Sequence, residues 1–276
     1  MTKTINFKDC VGTHDILFIT LDALRYDVAL KALKSGRTPN LAPVLPNGTW
    51  ECRHTPGSFT YAAHHAFFAG FLPTPISMQP HKRLFAAQFQ GSETTGPNSF
   101  VFQNADIVSG LSDQGYHTIC IGGVGFFNKR SDLGSVLPNL FHDSFWAEKF
   151  GVTEKNSTFH QVECALEQIS SLSKPQRLFL FLNVSACHQP NYFYHTDAKQ
   201  DSIETQMAAL SYVDSQLPRL FTAFQKRAPV LLIICSDHGT AYGEDGRIGH
   251  RFAHPVIWNV PYMETVLPQQ EHMEGK

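Results

Sequence analysis

Asp237 and His238 follow the apolar run Val230-Leu-Leu-Ile-Ile-Cys235 and precede Gly239. Such a run reads as a strand buried on both faces. A carboxylate and an imidazole at its end can both turn toward one cation, with Gly239 letting the backbone bend. A turn-forming Asp beside an unrelated His is the plain alternative. Asp22 ends a second apolar run, residues 16–21 (ILFITL). Asp also caps helices, and a helix is expected to follow, so Asp22 taken alone is equally a cap. Residues 57–70 read as a loop entering a short Ala-rich helix that ends at Gly70, with Thr60 at its start. A hydroxyl there lies beside free backbone N–H groups and the positive end of the helix dipole, a ready anion site. A metal on the same oxygen would lower its pKa and make it a nucleophile. Thr60 or Ser58 as an ordinary N-cap is again the alternative.

Residues 117–121 and 178–184 complete a set of four β-rich apolar runs. Residues 104–114, 157–172 and 203–225 carry helical periodicity between them. Strands alternating with helices predict right-handed crossovers and a three-layer α/β/α sandwich around a mainly parallel sheet. Residues 256–261 read as a last strand. Residues 74–100 are polar and rich in Pro and Gly, which predicts a surface excursion or a lid, and residues 1–276 read as one domain. In open parallel sheets sites form beyond the carboxyl ends of the strands, where Asp22, Asp237 and His238 fall.

The chain has 276 residues, is 42% hydrophobic and has a formal net charge of −2. That supports a large core and offers no basic excess for a nucleic-acid backbone or an anionic membrane. No apolar run approaches the ~20 residues of a membrane helix, and no secretory leader is visible. The six cysteines lack CxxC pairing, which predicts reduced thiols and a cytoplasmic protein. No third glycine follows Gly122-Gly123-Val-Gly125 to make a dinucleotide fingerprint, and no G-x-S-x-G elbow occurs. Lys129, after that Gly run, is a candidate contact for an anionic substrate.

Together these segments resemble the alkaline phosphatase superfamily, in its sulfatase-like and phosphoethanolamine-transferase-like branch. Asp22-Ala-Leu-Arg25-Tyr-Asp27 resembles the sulfatase opening, with Ala23 in place of a second Asp. Thr60 falls at the nucleophile position, with His64 and Gly70 at the family's spacing. Asp237-His238-Gly239 through Gly243-Glu244-Asp-Gly246 to His250 resembles the transferase pattern DHGExxGExGxxxH, with Thr240 for the first Glu. Ser185-Ala-Cys-His188-Gln-Pro190 resembles the element carrying a phosphate- or sulfate-binding histidine. The resemblance implies that Asp22, Asp237 and His238 ligate a metal and that Thr60 is both ligand and nucleophile. It implies that His188 and His250 contact the transferred group or protonate the leaving group. His64 and His254 are further candidates for lining the substrate site.

The departures narrow the chemistry. Threonine cannot supply the formylglycine aldehyde of sulfatases, and His64 stands where they carry Arg, so phosphate esters are expected over sulfate esters. Two-metal enzymes add an Asp-x-x-x-His pair, but Val184 precedes His188 by four. One firm site for Zn²⁺, or Mn²⁺, is therefore expected, with a second left open. The expected activity is a metal-dependent phosphoester or phosphodiester hydrolase, or a phospho-group transferase, acting on a small phosphorylated molecule through a phospho-threonine. A phosphomutase of the same superfamily and a non-catalytic metal- or anion-binding protein are the alternatives.

Overall fold

The computed structural model describes residues 5–70, 72 and 106–270. The expected excursion at 74–100 lies outside them. Successive side chains of a strand point to opposite sheet faces, so each apolar run divides between two cores. In β1 (Asp15–Leu21), Leu17, Ile19 and Leu21 enter one core while Ile16 and Phe18 face the other. The same division holds in β3 (Tyr116–Ile121), β5 (Arg177–Val184) and β6 (Val230–Cys235).

The first core is closed by α2 (Tyr26–Lys34), α6 (Ser157–Ser171) and α7 (Ile203–Gln225). The second is closed by α3 (Thr60–Ala69), α4 (Ile107–Asp113) and the Phe127 and Phe141 rings. The short α1 (Phe7–Cys10) and α5 (Asp132–Val136) decorate loops. These layers are the expected α/β/α sandwich.

Among the described residues the sheet has seven strands in the order β2-β9-β6-β1-β5-β3-β4. Strands β6, β1, β5, β3 and β4 (Asp143–Phe145) run parallel. Strand β9 (Asn259–Leu267) is antiparallel to β6, and β2 (Glu51–His54) is antiparallel to β9. A small ribbon of β7 (Ala241–Tyr242) and β8 (Ile248–Gly249) lies after β6. The edge strands β2 and β4 have no apolar run to betray them; every residue of β2 is exposed.

Two boundaries differ from expectation. The last strand begins at Asn259, because Pro255 opens α8 (Pro255–Trp258) and the His254 ring accepts from the Val256 N–H as its cap. Helix α4 starts at Ile107 because the Asp106 carboxylate accepts from the Ser109 N–H at 2.9 Å. Helix α3 ends as expected at Gly70, whose φ of 78° favours glycine.

At the amino end of β1, remote from its carboxyl end, Asp15 is fully buried. It accepts from Arg227 Nε at 3.1 Å and the Leu178 N–H at 3.1 Å, and pairs with Arg177 at 3.3 Å. Removing one partner of a buried ion pair strands the other charge. Asp15→Ala should therefore lower stability by about 3–5 kcal/mol, read as a lower urea midpoint at unchanged slope. A loss within the ±0.5 kcal/mol range of ordinary surface substitutions would refute this anchoring role.

Candidate functional site

Three chain segments meet at the carboxyl edge of the sheet. Strand β1 delivers Asp22, strand β6 delivers Asp237 and His238, and α3 lays its first residue, Thr60, over them. Asp22, Asp237 and His238 are fully buried and Thr60 is 4% exposed. The alternative readings as caps fail. Arg25, not Asp22, precedes α2, and Phe59 precedes α3 without a side-chain cap. Neither Asp22 nor Thr60 is spent on a helix end.

The backbone around the cluster is shaped to hold it. Ala23 adopts a left-handed φ of 61°, and its N–H donates to Asp237 Oδ1 at 3.1 Å. Gly239 is required by close packing: a Cβ there would stand 1.8 Å from the Val256 carbonyl oxygen. The expected sharp bend is not its role, since it does not have a positive φ. Its N–H donates to the Ile257 carbonyl at 2.6 Å, docking α8 beneath the site.

The residues fit a cation. Asp22 Oδ1 and Asp237 Oδ2 are buried without hydrogen-bond partners among the described residues. Leaving buried carboxylate oxygens unpaired is costly unless a cation meets them. The candidate ligand atoms of Asp22, Asp237 and His238 lie within 4.8 Å of one another. His238 Nε2 is 3.7 Å from Asp22 Oδ1, 3.6 Å from Asp237 Oδ2 and 3.4 Å from Thr60 Oγ1. These gaps exceed good hydrogen bonds. They match the edges of a tetrahedron whose centre is about 2.1 Å from each ligand, which are about 3.4 Å long. His238 Nδ1 donates to the Gly239 carbonyl at 2.8 Å, so Nε2 is the nitrogen with the free lone pair.

The electrostatics agree. Burial, and then the charge of Asp237, push the Asp22 carboxyl up to about 6. Burial raises Asp237 to about 6 as well. Burial lowers His238. Two buried acids side by side and a reluctant imidazole are what a cation would relieve.

His188 and His250 stand over this cluster as expected, their ring centres 5.5 Å apart and 6.5 and 4.4 Å from that of His238. His188 Nδ1 donates to the Gln189 carbonyl at 2.5 Å, leaving Nε2 as its acceptor nitrogen. His250 Nδ1 is buried without a hydrogen-bond partner among the described residues, and burial, then His238, lowers its pKa to about 3. Beside Thr60 opens a cavity of about 630 Å³ that His188 and His250 also line.

Three expected substrate contacts are not there. His64 is fully buried, with the Phe67, Phe127 and Phe181 rings edge-on around it. Its Nδ1 donates to the Thr60 carbonyl at 2.7 Å and its Nε2 accepts from Thr20 Oγ1 at 3.0 Å. It braces Thr60 from below. Lys129 is exposed at a left-handed φ of 55° and does not line the cavity. His254 caps α8 and its Nε2 lies 3.2 Å from Asp245, away from the cavity. Arg25 pairs with Asp27 and also with Glu244.

Three supporting residues, Thr20, Asn183 and Arg251, were not among the residues expected from the sequence. Asn183 donates from Nδ2 to Asp22 Oδ2 at 3.2 Å and to Thr20 Oγ1 at 3.3 Å, while its Oδ1 accepts from the Gly123 N–H. Thr20 and Asn183 are register partners in β1 and β5. Their signal was a polar residue in each strand where the apolar alternation Phe18 and Phe181 should continue. Arg251 lines the cavity mouth; it follows His250 directly, and adjacency was its signal.

Comparison with known proteins places the chain in a family. The Sulfatase family model matches residues 14–266. Among curated proteins no sequence matches the chain. The C-terminal periplasmic domain of phosphoethanolamine transferase EptC from Campylobacter jejuni superposes with a TM-score of 0.63 at 14% identity, over 92% of this chain and 80% of that one. The lipoteichoic acid synthase LtaP from Listeria monocytogenes gives 0.59 at 13% identity, over 96% and 67%. A zinc complex of the periplasmic domain of EcEptC from Escherichia coli gives 0.59 at 12% identity, over 92% and 73%. At these identities the likeness establishes the fold. It also overturns the cytoplasmic expectation, since two of these structures are periplasmic domains. The six free cysteines do not rescue that expectation: Cys10, Cys120, Cys187 and Cys235 are buried core residues whose burial explains them in any compartment. No helix among the described residues is long and apolar enough to cross a membrane. With the Sulfatase family model matched over residues 14–266, the chain belongs to the sulfatase family.

Proposed function

We propose that this chain, as one domain, is a metal-dependent enzyme that hydrolyses or transfers phosphoester or phosphodiester groups through Thr60. The observation that carries this reading is the spacing of Thr60 Oγ1, 3.5 Å from Asp22 Oδ2 and 3.4 Å from His238 Nε2, over two unpartnered carboxylate oxygens. A hydroxyl in that position is a ligand atom and a nucleophile at once. Threonine cannot form the sulfatase aldehyde, so phosphate is favoured over sulfate.

Asp22, Asp237, His238 and Thr60 would hold the ion, with Zn²⁺ first and Mn²⁺ as substitute for this oxygen-rich set with one imidazole. The ion would supply positive charge that lowers the hydroxyl pKa and offsets charge on the phosphoryl oxygens. Asp22 Oδ2 is the nearest carboxylate oxygen to take the Thr60 proton. Thr60 Oγ1 then attacks phosphorus, an O–P bond forms, and the bond to the leaving oxygen breaks. His188 takes up a proton at Nε2, its acceptor nitrogen, and passes it to the departing oxygen, while the neutral His250 hydrogen-bonds the transferred group. Water or an acceptor alcohol, deprotonated by the His188 imidazole, attacks phosphorus, the bond to Thr60 Oγ1 breaks, and Asp22 returns its proton to restore the hydroxyl. The EcEptC zinc complex supports the choice of metal, and the transferase names of the relatives support group transfer beside hydrolysis.

Thr60→Ala should reduce turnover of nitrophenyl phosphate mono- or diesters by about a thousandfold or more while the circular dichroism spectrum is unchanged. Wild-type rates in that variant would overturn the nucleophile assignment.

Chelated protein offers a second test. Asp22 and Asp237 titrate near 6 in the fold and about 4 when unfolded. A raised folded pKa means that the protonated acids favour the fold. Their contribution is whole below about pH 4 and is lost as pH rises through about 6. The melting temperature of chelated protein should fall across that window, and Asp237→Asn should flatten the fall. Zn²⁺ at about one hundred times its dissociation constant should restore about 2.7 kcal/mol at pH 8 to the wild type and little to Asp237→Asn. Equal zinc stabilisation of both proteins would remove Asp237 from the ligand set.

A further inference from the structure

The cavity beside Thr60 has a definite chemical character. Its apolar wall is Phe59, Val124, Phe126, Leu133, Trp146 and Val152. The Phe59 and Phe126 rings are 6.4 Å apart and tilted by 51°, which offers two aromatic faces to one flat group. The cavity volume, about 630 Å³, suits a small organic molecule and not a polymer segment.

Its charges are one-sided. Glu148 is the carboxylate among its lining residues, and Arg130 holds it at 3.0 Å. The same Arg130 guanidinium lies 4.6 Å from the centre of the Trp146 ring, so that ring already faces a cation. Arg251 at the mouth has no ion pair or side-chain hydrogen bond among the described residues. Its N–H donates to the Ser58 carbonyl, and its φ of 78° fixes this turn beside the cavity. A cation entering here meets a guanidinium without an ion pair among the described residues, a carboxylate already paired with Arg130 and an indole already facing that same arginine. An ammonium would find no unpaired carboxylate among the lining residues, and the aromatic faces left open to it are those of Phe59 and Phe126, weaker cation binders than an indole.

We propose that this cavity selects phosphoesters whose organic group is uncharged and flat or apolar, that it rejects groups bearing an ammonium, and that Arg251 sets this preference. The proposal rests on the reading of Thr60 as the nucleophile, and it separates this chain from the phosphoethanolamine named for its structural relatives. Arg251 acts by repelling a cation and by pairing with a phosphoryl or other anionic oxygen near the mouth. The aromatic pair holds the flat group.

The experiment compares three p-nitrophenyl phosphonate esters with one leaving group: phenyl, propyl and 2-aminoethyl. Propyl matches aminoethyl in size, so their ratio reports charge alone, and phenyl reports the aromatic wall. Zinc-loaded protein should favour propyl over aminoethyl by about tenfold or more in kcat/KM, with phenyl best. Arg251→Gln should narrow the propyl-to-aminoethyl ratio to about threefold or less, whereas Arg251→Lys keeps it. A ratio near one in the wild type, or a ratio untouched by Arg251→Gln, would overturn the proposal. Dissociation constants of the three free phosphonates, measured by calorimetry, should follow the same order. If no ester is turned over, the nucleophile reading fails, and the calorimetric ratio alone then decides the proposal. Failure of all three phosphonates to bind would sink it.

Discussion

Two carboxylates that must both remain buried, Asp22 and Asp237, are the constraint around which the rest of the molecule is arranged. Each has an oxygen without a hydrogen-bond partner among the described residues, and burial penalises the charge of both. Such an arrangement opposes folding unless something positive is held between them. The fold spends its most ordered parts on enforcing it. Adjacent parallel strands bring the two residues side by side, and the left-handed Ala23 turns its N–H onto one of them.

The remaining oxygens are fixed by a chain of hydrogen bonds whose direction is forced. A backbone carbonyl can only accept, so His64 must donate to Thr60 through Nδ1 and accept from Thr20 through Nε2. Thr20 then accepts from Asn183, whose amide also donates to Asp22. Asp22 and the backbone of Thr60 are thus two ends of one polar thread, and movement of either is felt by the other. The second aromatic core surrounds this thread with Phe181 and Phe127, which excludes competing water.

Much of this was legible in the residues. The apolar runs at 16–21, 178–184 and 230–235 located strands β1, β5 and β6 to within a residue, because a strand buried on both faces leaves little room for polar side chains. Asp237-His238 and Thr60 were found from strand ends and spacing. What stayed hidden has common causes. His64 kept the family spacing yet serves as a brace, because spacing along a helix does not say which face is buried. Lys129 and His254 were chosen for chemical type, and local backbone demands, a left-handed turn and a helix cap, claimed them instead. Edge strands β2 and β4 lacked a core-facing pattern. The compartment was misread because unpaired cysteines in a core record packing, not surroundings.

The cavity wall has a different origin from the cluster beneath it. Asp22, Thr60, Asp237 and His238 come from segments scattered over most of the sequence, joined only by the sheet. Gly123, Val124, Phe126, Leu133, Trp146 and Val152 come from one continuous stretch between β3 and α6. The buried cluster therefore cannot be altered piecemeal without disturbing the sheet and α3, whereas most of the wall, Phe59 and Arg251 apart, varies within one segment. In a lineage built on this plan, the shape of the cavity is free to drift within that segment while the cluster beneath it is inherited intact.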